Sequence, residues 1–301
     1  MNFIKRIFLF ILINILVIST ITFLLSVFKI NPYLTGYGLD VRSLAIICLL
    51  WGFTGALISL GLSRILAKWL MGVQLIDENT GDANLKLILR RVEKIAADAG
   101  LQYTPQVGIY SSNEVNAFAT GPSKKRSLLA LSSGLIRNMS QDEIDAIIGH
   151  ELSHIKNGDM ITMTLLQGVV NAFVMFLARI LAFFISSMGK EKNRSSSSSF
   201  AANYFLIQIF QFVFMILGSI PLAFFSRKRE YRADEGSANV LGKEKMIKAL
   251  NSLKAFYEIK DSQKAHPAFQ AFKISNNSKG MANLFATHPP LDDRIERLRN
   301  L

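Results

Sequence analysis

Four long apolar runs constrain this chain more than any other feature. Residues 7–28 carry no charge over 22 positions, behind Lys5 and Arg6. Residues 43–63 form a second run of 21, residues 160–178 a third of 19, and residues 200–225 a fourth of 26, broken only by Pro221. A helix needs about 20 apolar residues to cross a bilayer, whereas the core of a cleaved signal peptide is about 7–15 long. The first run therefore reads as an uncleaved anchor, and all four as membrane-spanning helices. Beyond Arg179 the apolar character resumes to Met188. A cation at that depth requires snorkelling, a partner or a wet cavity.

Charge agrees with this reading. Charged residues are 19% of the chain, against about 25% in average soluble domains. Neither a disordered chain nor an ordinary soluble enzyme is expected. Lys and Arg flanking the runs divide ten to one side (Lys5, Arg64, Lys156 and Arg227 among them) and five to the other. By the positive-inside rule both termini lie inside. Residues 64–159 and 226–301 are separated by two runs, so they share a side. The net charge of +12 suits an anionic membrane face. No basic-aromatic motif accompanies it, so a nucleic-acid partner is not expected.

The two polar blocks look different. Leu85, Ile88, Leu89, Val92, Ile95, Ala96 and Ala99 fall on one helical face, closed by Gly100. Short β-like runs follow at 106–110, 115–120 and 127–131, with Gly121, Pro122 and the basic residues 123–126 making a turn. Ser140 and Glu143 form a capping box that opens a helix through His154. The last block reads as helices over 227–241, 244–257 and 291–300, the final one behind Pro289 and Pro290. Five serines at 195–199 read as a flexible loop.

Chemistry concentrates in His150-Glu151-Leu152-Ser153-His154. Positions i and i+4 share a helical face, so His150 and His154 can reach one metal ion. Glu151 stands beside them, where it can take a proton from an attacking water. The single cysteine, Cys48, excludes an intrachain disulfide and a cysteine-based zinc cage. His266, before Pro267, reads as a loop histidine.

A catalytic zinc needs a third protein ligand and an open position. The extended form of the motif is absent, because Asn157 and Met160 stand where its Gly and third His would be. Glu230 is the candidate, with Asp234 one turn on to accept a hydrogen bond from the free N–H of a ligating histidine. The rivals are Asp159, Asp234, Glu235 and His288. Asp159 lies past a helix end at Gly158 and would have to fold back. Glu235 lies about 140° round the helix from Glu230. His154 precedes the third run by six residues and Glu230 follows the fourth by five, so a hairpin of those runs returns the chain to the same patch.

The 150–154 motif, Glu230 with Asp234, Asn116-Ala117-Phe118-Ala119-Thr120-Gly121 and His288-Pro289-Pro290-Leu291 together resemble the HtpX-type membrane zinc endopeptidases, relatives of the CAAX prenyl proteases. The resemblance spans nearly the whole chain. It implies a mainly α membrane protein with about four transmembrane helices and an α+β, zincin-like catalytic domain with a small β-sheet. It implies a metalloendopeptidase of the gluzincin type holding one Zn2+ per chain on His150, His154 and Glu230, with Glu151 as general base. Asp234 and Arg294 stand behind the ligands, and His288 and Arg294 match residues that help the transition state. Asn116, Ala117, Phe118 and Ala119 would bind substrate by β-addition.

The expected organisation is two membrane helices and an external loop over 1–63, the catalytic domain in two parts over 64–159 and 226–301, and a membrane hairpin over 160–225. The expected setting is the bacterial inner membrane, multi-pass, with the site facing the cytoplasm. The expected substrates are damaged, misfolded or unfolded polypeptides, in a role of quality control under stress. The alternative is a non-catalytic membrane scaffold or transporter with structural zinc, which would not need Glu151.

Overall fold

The computed structural model describes residues 3–30, 33–35, 38–188, 196–264 and 286–301. His266 and the 190–194 segment lie outside them. Two compact units form, each from two stretches of chain: Met1–Leu60 with Met163–Leu222, and Gly61–Thr162 with Ala223–Leu301.

The first unit holds helix α1 (Phe3–Val27), a short hairpin of β1 (Leu34–Thr35) and β2 (Gly38–Leu39), and most of α2 (Val41–Leu70). It also holds most of α6 (Asp159–Met188) and the first part of α7 (Ser196–Leu241). Among the described residues, α2, α6 and the Ala201–Leu241 part of α7 are long and apolar enough to cross a membrane. The apolar stretch Ile11–Val27 of α1 is shorter. Ile15, Phe23, Phe173, Phe205 and Phe212 are each more than half exposed, an arrangement that lipid solvates and water does not. Small residues set the helix contacts, as in other membrane helices. A Cβ on Gly52 of α2 would lie 2.5 Å from the Gly168 carbonyl oxygen on α6. Ser186 donates to Asn203 Oδ1 at 3.0 Å, tying α6 to α7. Arg179 is half-buried and donates to the Met175 carbonyl of its own helix at 3.1 Å.

The second unit is an α+β layer. Its sheet has the order β3-β4-β6-β5, from β3 (Gln74–Leu75), β4 (Gln106–Tyr110), β5 (Ala117–Thr120) and β6 (Leu128–Ser132). The β4–β6 pair is parallel and the other two are antiparallel. Every residue of β6 is buried, as a central strand requires, whereas β5 is half-buried at the edge. Helices α3 (Ala83–Asp98), α4 (Ser133–Asn138), α5 (Gln141–Asn157), α8 (Lys243–Lys264) and α9 (Leu291–Arg299) belong to the unit, together with the C-terminal part of α7. Val92, Leu129, Leu131, Ile148, Leu152, Ile155, Leu250 and Leu298 meet in its core.

Helix α5 starts where the capping box puts it. The Ser140 backbone N–H and hydroxyl both donate to Glu143 Oε2, at 2.7 and 2.8 Å. Ser252 of α8 donates to the other carboxylate oxygen at 2.6 Å. Burial opposes the charge on Glu143, yet these hydrogen bonds hold its carboxyl below the usual carboxylate range. The helix ends at Gly158, whose left-handed φ of 71° breaks it and lets α6 begin one residue later.

Five elements differ from the sequence reading. Strand β5 begins at Ala117 rather than Val115 and β6 ends at Ser132 rather than Leu131, where Ser132 N–H donates to the Asn116 carbonyl and Asn116 N–H donates to Ser132 Oγ. Two short elements, β3 and α4, lack enough residues to show a period. The largest difference is α7, one helix of 46 residues that joins the fourth apolar run to the polar segment 227–241. No Gly or Pro interrupts residues 222–235, and Arg, Lys, Glu and Ala there are good helix formers. Ser196 to Ser199 form its first turn rather than a loop.

Inside the second unit α5 and α7 cross closely. A Cβ on Gly236 would lie 2.4 Å from Ser153 Oγ and 2.9 Å from Ser153 Cβ. Ser237 Oγ donates to the Ala146 carbonyl at 2.7 Å across the same contact. Overpacking a tight contact costs about 1–3 kcal/mol. Gly236→Ala should therefore lower thermal stability by that order and weaken metal binding, measured as Tm with and without added zinc. An unchanged Tm would mean the crossing yields freely.

Candidate metal centre

Helix α5 places His150 and His154 side by side, with their Nε2 atoms 3.2 Å apart. Both are buried, at 7% and 8% exposure. Each ring is held from behind by a carboxylate. His150 Nδ1 lies 2.9 Å from Asp234 Oδ1, and His154 Nδ1 lies 2.7 Å from Asp159 Oδ2. An ionised carboxylate only accepts, so both Nδ1 atoms donate and both Nε2 atoms turn their lone pairs to the same point.

Glu230 of α7 faces that point. Its Oε1 is 3.3 Å from His154 Nε2 and its Oε2 is 3.5 Å from His150 Nε2. Ligand atoms of His150, His154 and Glu230 all lie within 4.8 Å of one another. A tetrahedral ion with nitrogen and oxygen ligands at about 2.0–2.1 Å separates them by about 3.3 Å. The 3.2 Å between the two imidazole Nε2 atoms matches that spacing, and each of them has a Glu230 oxygen at 3.3 or 3.5 Å. Two imidazoles and a carboxylate also suit zinc in chemistry.

Electrostatics point the same way. In the absence of a cation, the converging acceptors draw protons. Burial lowers the affinity of His150 for a proton, but hydrogen bonds to Asp234 and Glu230 outweigh it and push the pKa up to about 9. His154 is raised against burial by Asp159 and Glu230. Burial likewise opposes the charge on Glu230, yet hydrogen bonds from His150, His154 and His288 hold it far below the usual carboxylate range. The pocket is built for positive charge.

A second ring of cations holds the carboxylates. Arg294, buried on α9, grips Asp234 in a bidentate pair at 2.6 and 2.7 Å. Arg232 donates to Asp159 at 2.9 Å. Asp159 is buried at 1% exposure. It heads α6 and its carboxylate returns over the end of α5, so it stands to His154 as Asp234 stands to His150. The residue pattern offers Asp159 only as a rival ligand, and the structure places it behind His154 instead. The left-handed Gly158 before it was the available signal.

The other expected residues fall as follows. His288 Nδ1 lies 3.0 Å from Glu230 Oε2, with a largely exposed ring. Glu235 turns away and pairs with Arg297 at 2.8 Å. Glu151 is half-buried on α5, and its side chain forms no hydrogen bond or ion pair among the described residues. Asn116 is exposed just before β5, and Ala117, Phe118 and Ala119 lie in that edge strand. Helix α5 packs against β5.

Residues 82–301, which include all of these groups, match the family described as Peptidase family M48. The chain belongs to that family. The Protease HtpX homolog of Bacillus subtilis is 46% identical over 303 residues, covering 98% of both chains. That of Bacillus velezensis is 45% identical over 300 residues with the same coverage. Protease HtpX of Mannheimia succiniciproducens is 45% identical over 285 residues, 94% of this chain and 97% of its own. The crystal structure of S. mikatae Ste24p shares the fold, with a TM-score of 0.64 at 17% identity over 98% of this chain and 64% of its own length. This M48 chain is thus a membrane-anchored protease, and its family implies a metal at the site.

Second-sphere partners of zinc histidines typically contribute 10–100-fold in affinity. Asp159→Ala and Asp234→Ala should each weaken zinc binding by about that factor, read by competition with a coloured chelator. Loss in Asp234→Ala alone would remove Asp159 from the site.

Proposed function

We propose that this chain is a zinc endopeptidase of the bacterial inner membrane. Its site faces the cytoplasm, and it cleaves unfolded or damaged membrane proteins in quality control. The observation that carries the reading is the convergence of two imidazole Nε2 atoms and one buried carboxylate, with a free Glu151 on the same helix. His150, His154 and Glu230 would hold one Zn2+ per chain. Zinc supplies a Lewis acid that polarises the scissile carbonyl and makes water acidic at neutral pH.

The chain's own residues do the rest. Glu151 takes the proton of the attacking water and passes it to the leaving nitrogen. Asp234 and Asp159 hold the two imidazoles in one tautomer and orientation. Arg294 keeps Asp234 in place, buried between α7 and α9. His288 stands on the exposed side of Glu230, placed to meet negative charge developing on the substrate. The β5 edge, with Asn116, Ala117, Phe118 and Ala119, takes an extended peptide as an added strand. Main-chain pairing of that kind accepts many sequences but requires an unfolded segment, which suits damaged proteins as substrates. Relatives named Protease HtpX over the full length support the same reading. The excess of Lys and Arg on the side of residues 64–159 and 226–301 supports the cytoplasmic orientation.

A positioned general base contributes about 10²–10⁴-fold. Glu151→Gln should lower cleavage of an unfolded protein by that order while zinc content stays that of the wild type. Cleavage within about tenfold of wild type would remove Glu151 from the base role.

A further inference from the structure

We infer that the turn between β5 and β6 forms, with the end of α5, a docking surface for the phosphate headgroups of anionic lipids. Lys124, Lys125 and Arg126 are exposed at this turn, and Lys156 is exposed two residues before Gly158. Among the described residues none of the four forms an ion pair with a carboxylate. Arg232, also at this junction, is already spent on Asp159. Lys125 Nζ lies over the Tyr103 ring at 5.5 Å, which tethers the ammonium without neutralising its charge.

The turn itself is rigid. Arg126 N–H donates to the Ser123 carbonyl at 3.1 Å, and Ser127 Oγ donates to the Lys124 carbonyl at 2.8 Å. Gly121 has φ 140°, and a Cβ there would lie 2.1 Å from the Arg126 carbonyl oxygen, so only glycine closes the turn. Three like charges are therefore held together on a built feature.

Location selects the partner. Lys124 Cε lies 3.8 Å from the Cβ position of Gly158. Gly158 ends α5, α6 begins at Asp159, and the apolar run begins at Met160. The cations thus stand where the chain passes into an apolar helix, at the level where phosphates lie if that helix enters a bilayer. Juxtamembrane Lys and Arg clusters are attracted to anionic leaflets. A nucleic acid or acidic protein would have to reach the same spot against the lipid surface. On the peptidase reading, such a contact holds the β5 edge at the membrane surface, where an unfolded segment leaves the bilayer. The lipid contact itself does not depend on that reading.

The test uses the full chain with Cys48→Ala and Ser123→Cys, carrying a fluorophore at residue 123. It is reconstituted in nanodiscs of phosphatidylcholine, with or without phosphatidylglycerol, each with a trace of headgroup-quencher lipid. Quenching should be about twofold stronger with phosphatidylglycerol. The difference should vanish at about 1 M salt, where the screening length is on the order of 3 Å. It should also vanish in the triple variant Lys124→Glu, Lys125→Glu, Arg126→Glu. The salt arm needs no further substitution, so misfolding of that variant does not decide the matter. Equal quenching in both lipids, or an anionic-lipid excess that survives both salt and charge reversal, overturns the proposal. So does loss of the excess to inorganic phosphate at constant ionic strength, which would mark a site for free phosphate.

Discussion

The second unit is arranged around one electrostatic constraint: two imidazole lone pairs and a carboxylate are held face to face, out of water. Such an arrangement is unstable unless positive charge lies between the three groups. The fold supplies what keeps it from relaxing. Asp234 and Asp159 fix the imidazoles from behind, at 2.9 and 2.7 Å. Arg294 and Arg232 fix the carboxylates in turn. Glycine and serine at the α5–α7 crossing let the two helices approach until the acceptors meet.

The same arrangement accounts for the chain order. Its two halves lie on either side of the third and fourth apolar runs, α5 ending just before one and the Glu230 segment following the other. Because α7 is continuous, Glu230 and Asp234 sit on a helix whose N-terminal part belongs to the membrane unit, with no loop to blur their position. Gly158 does the equivalent work on the other side, ending α5 and placing Asp159 in a single residue. At the sheet, the order β3-β4-β6-β5 leaves β5 with one edge unpaired among the described residues, and α5 packs against this strand.

Much of this was legible in the sequence, for physical reasons. Helical periodicity and the Ser140–Glu143 box locate α3 and α5 because both signals are local. The His150–His154 pair follows from the helical repeat alone. Glu230 was reachable from its spacing to Asp234 and from the hairpin argument, and the structure brings it to the pair. What was not legible depends on contacts distant in the chain. Asp159 backs His154 only because the left-handed Gly158 turns the chain so that the Asp159 carboxylate returns to the end of α5, a geometry that a residue pattern does not encode. The continuity of α7 was hidden because the composition changes sharply at Arg227 while the backbone does not. That β5 is an edge strand is set by strand order, and its role in substrate binding came from family resemblance rather than from its own residues.

Whether Glu230 completes the metal site is read from the zinc content of the purified chain after dialysis against a weak chelator, wild type beside Glu230→Ala and His288→Ala. One zinc per chain is expected in the wild type and in His288→Ala, and none in Glu230→Ala. Full zinc in Glu230→Ala together with its loss in His288→Ala would exchange the two roles and remove Glu230 from the site.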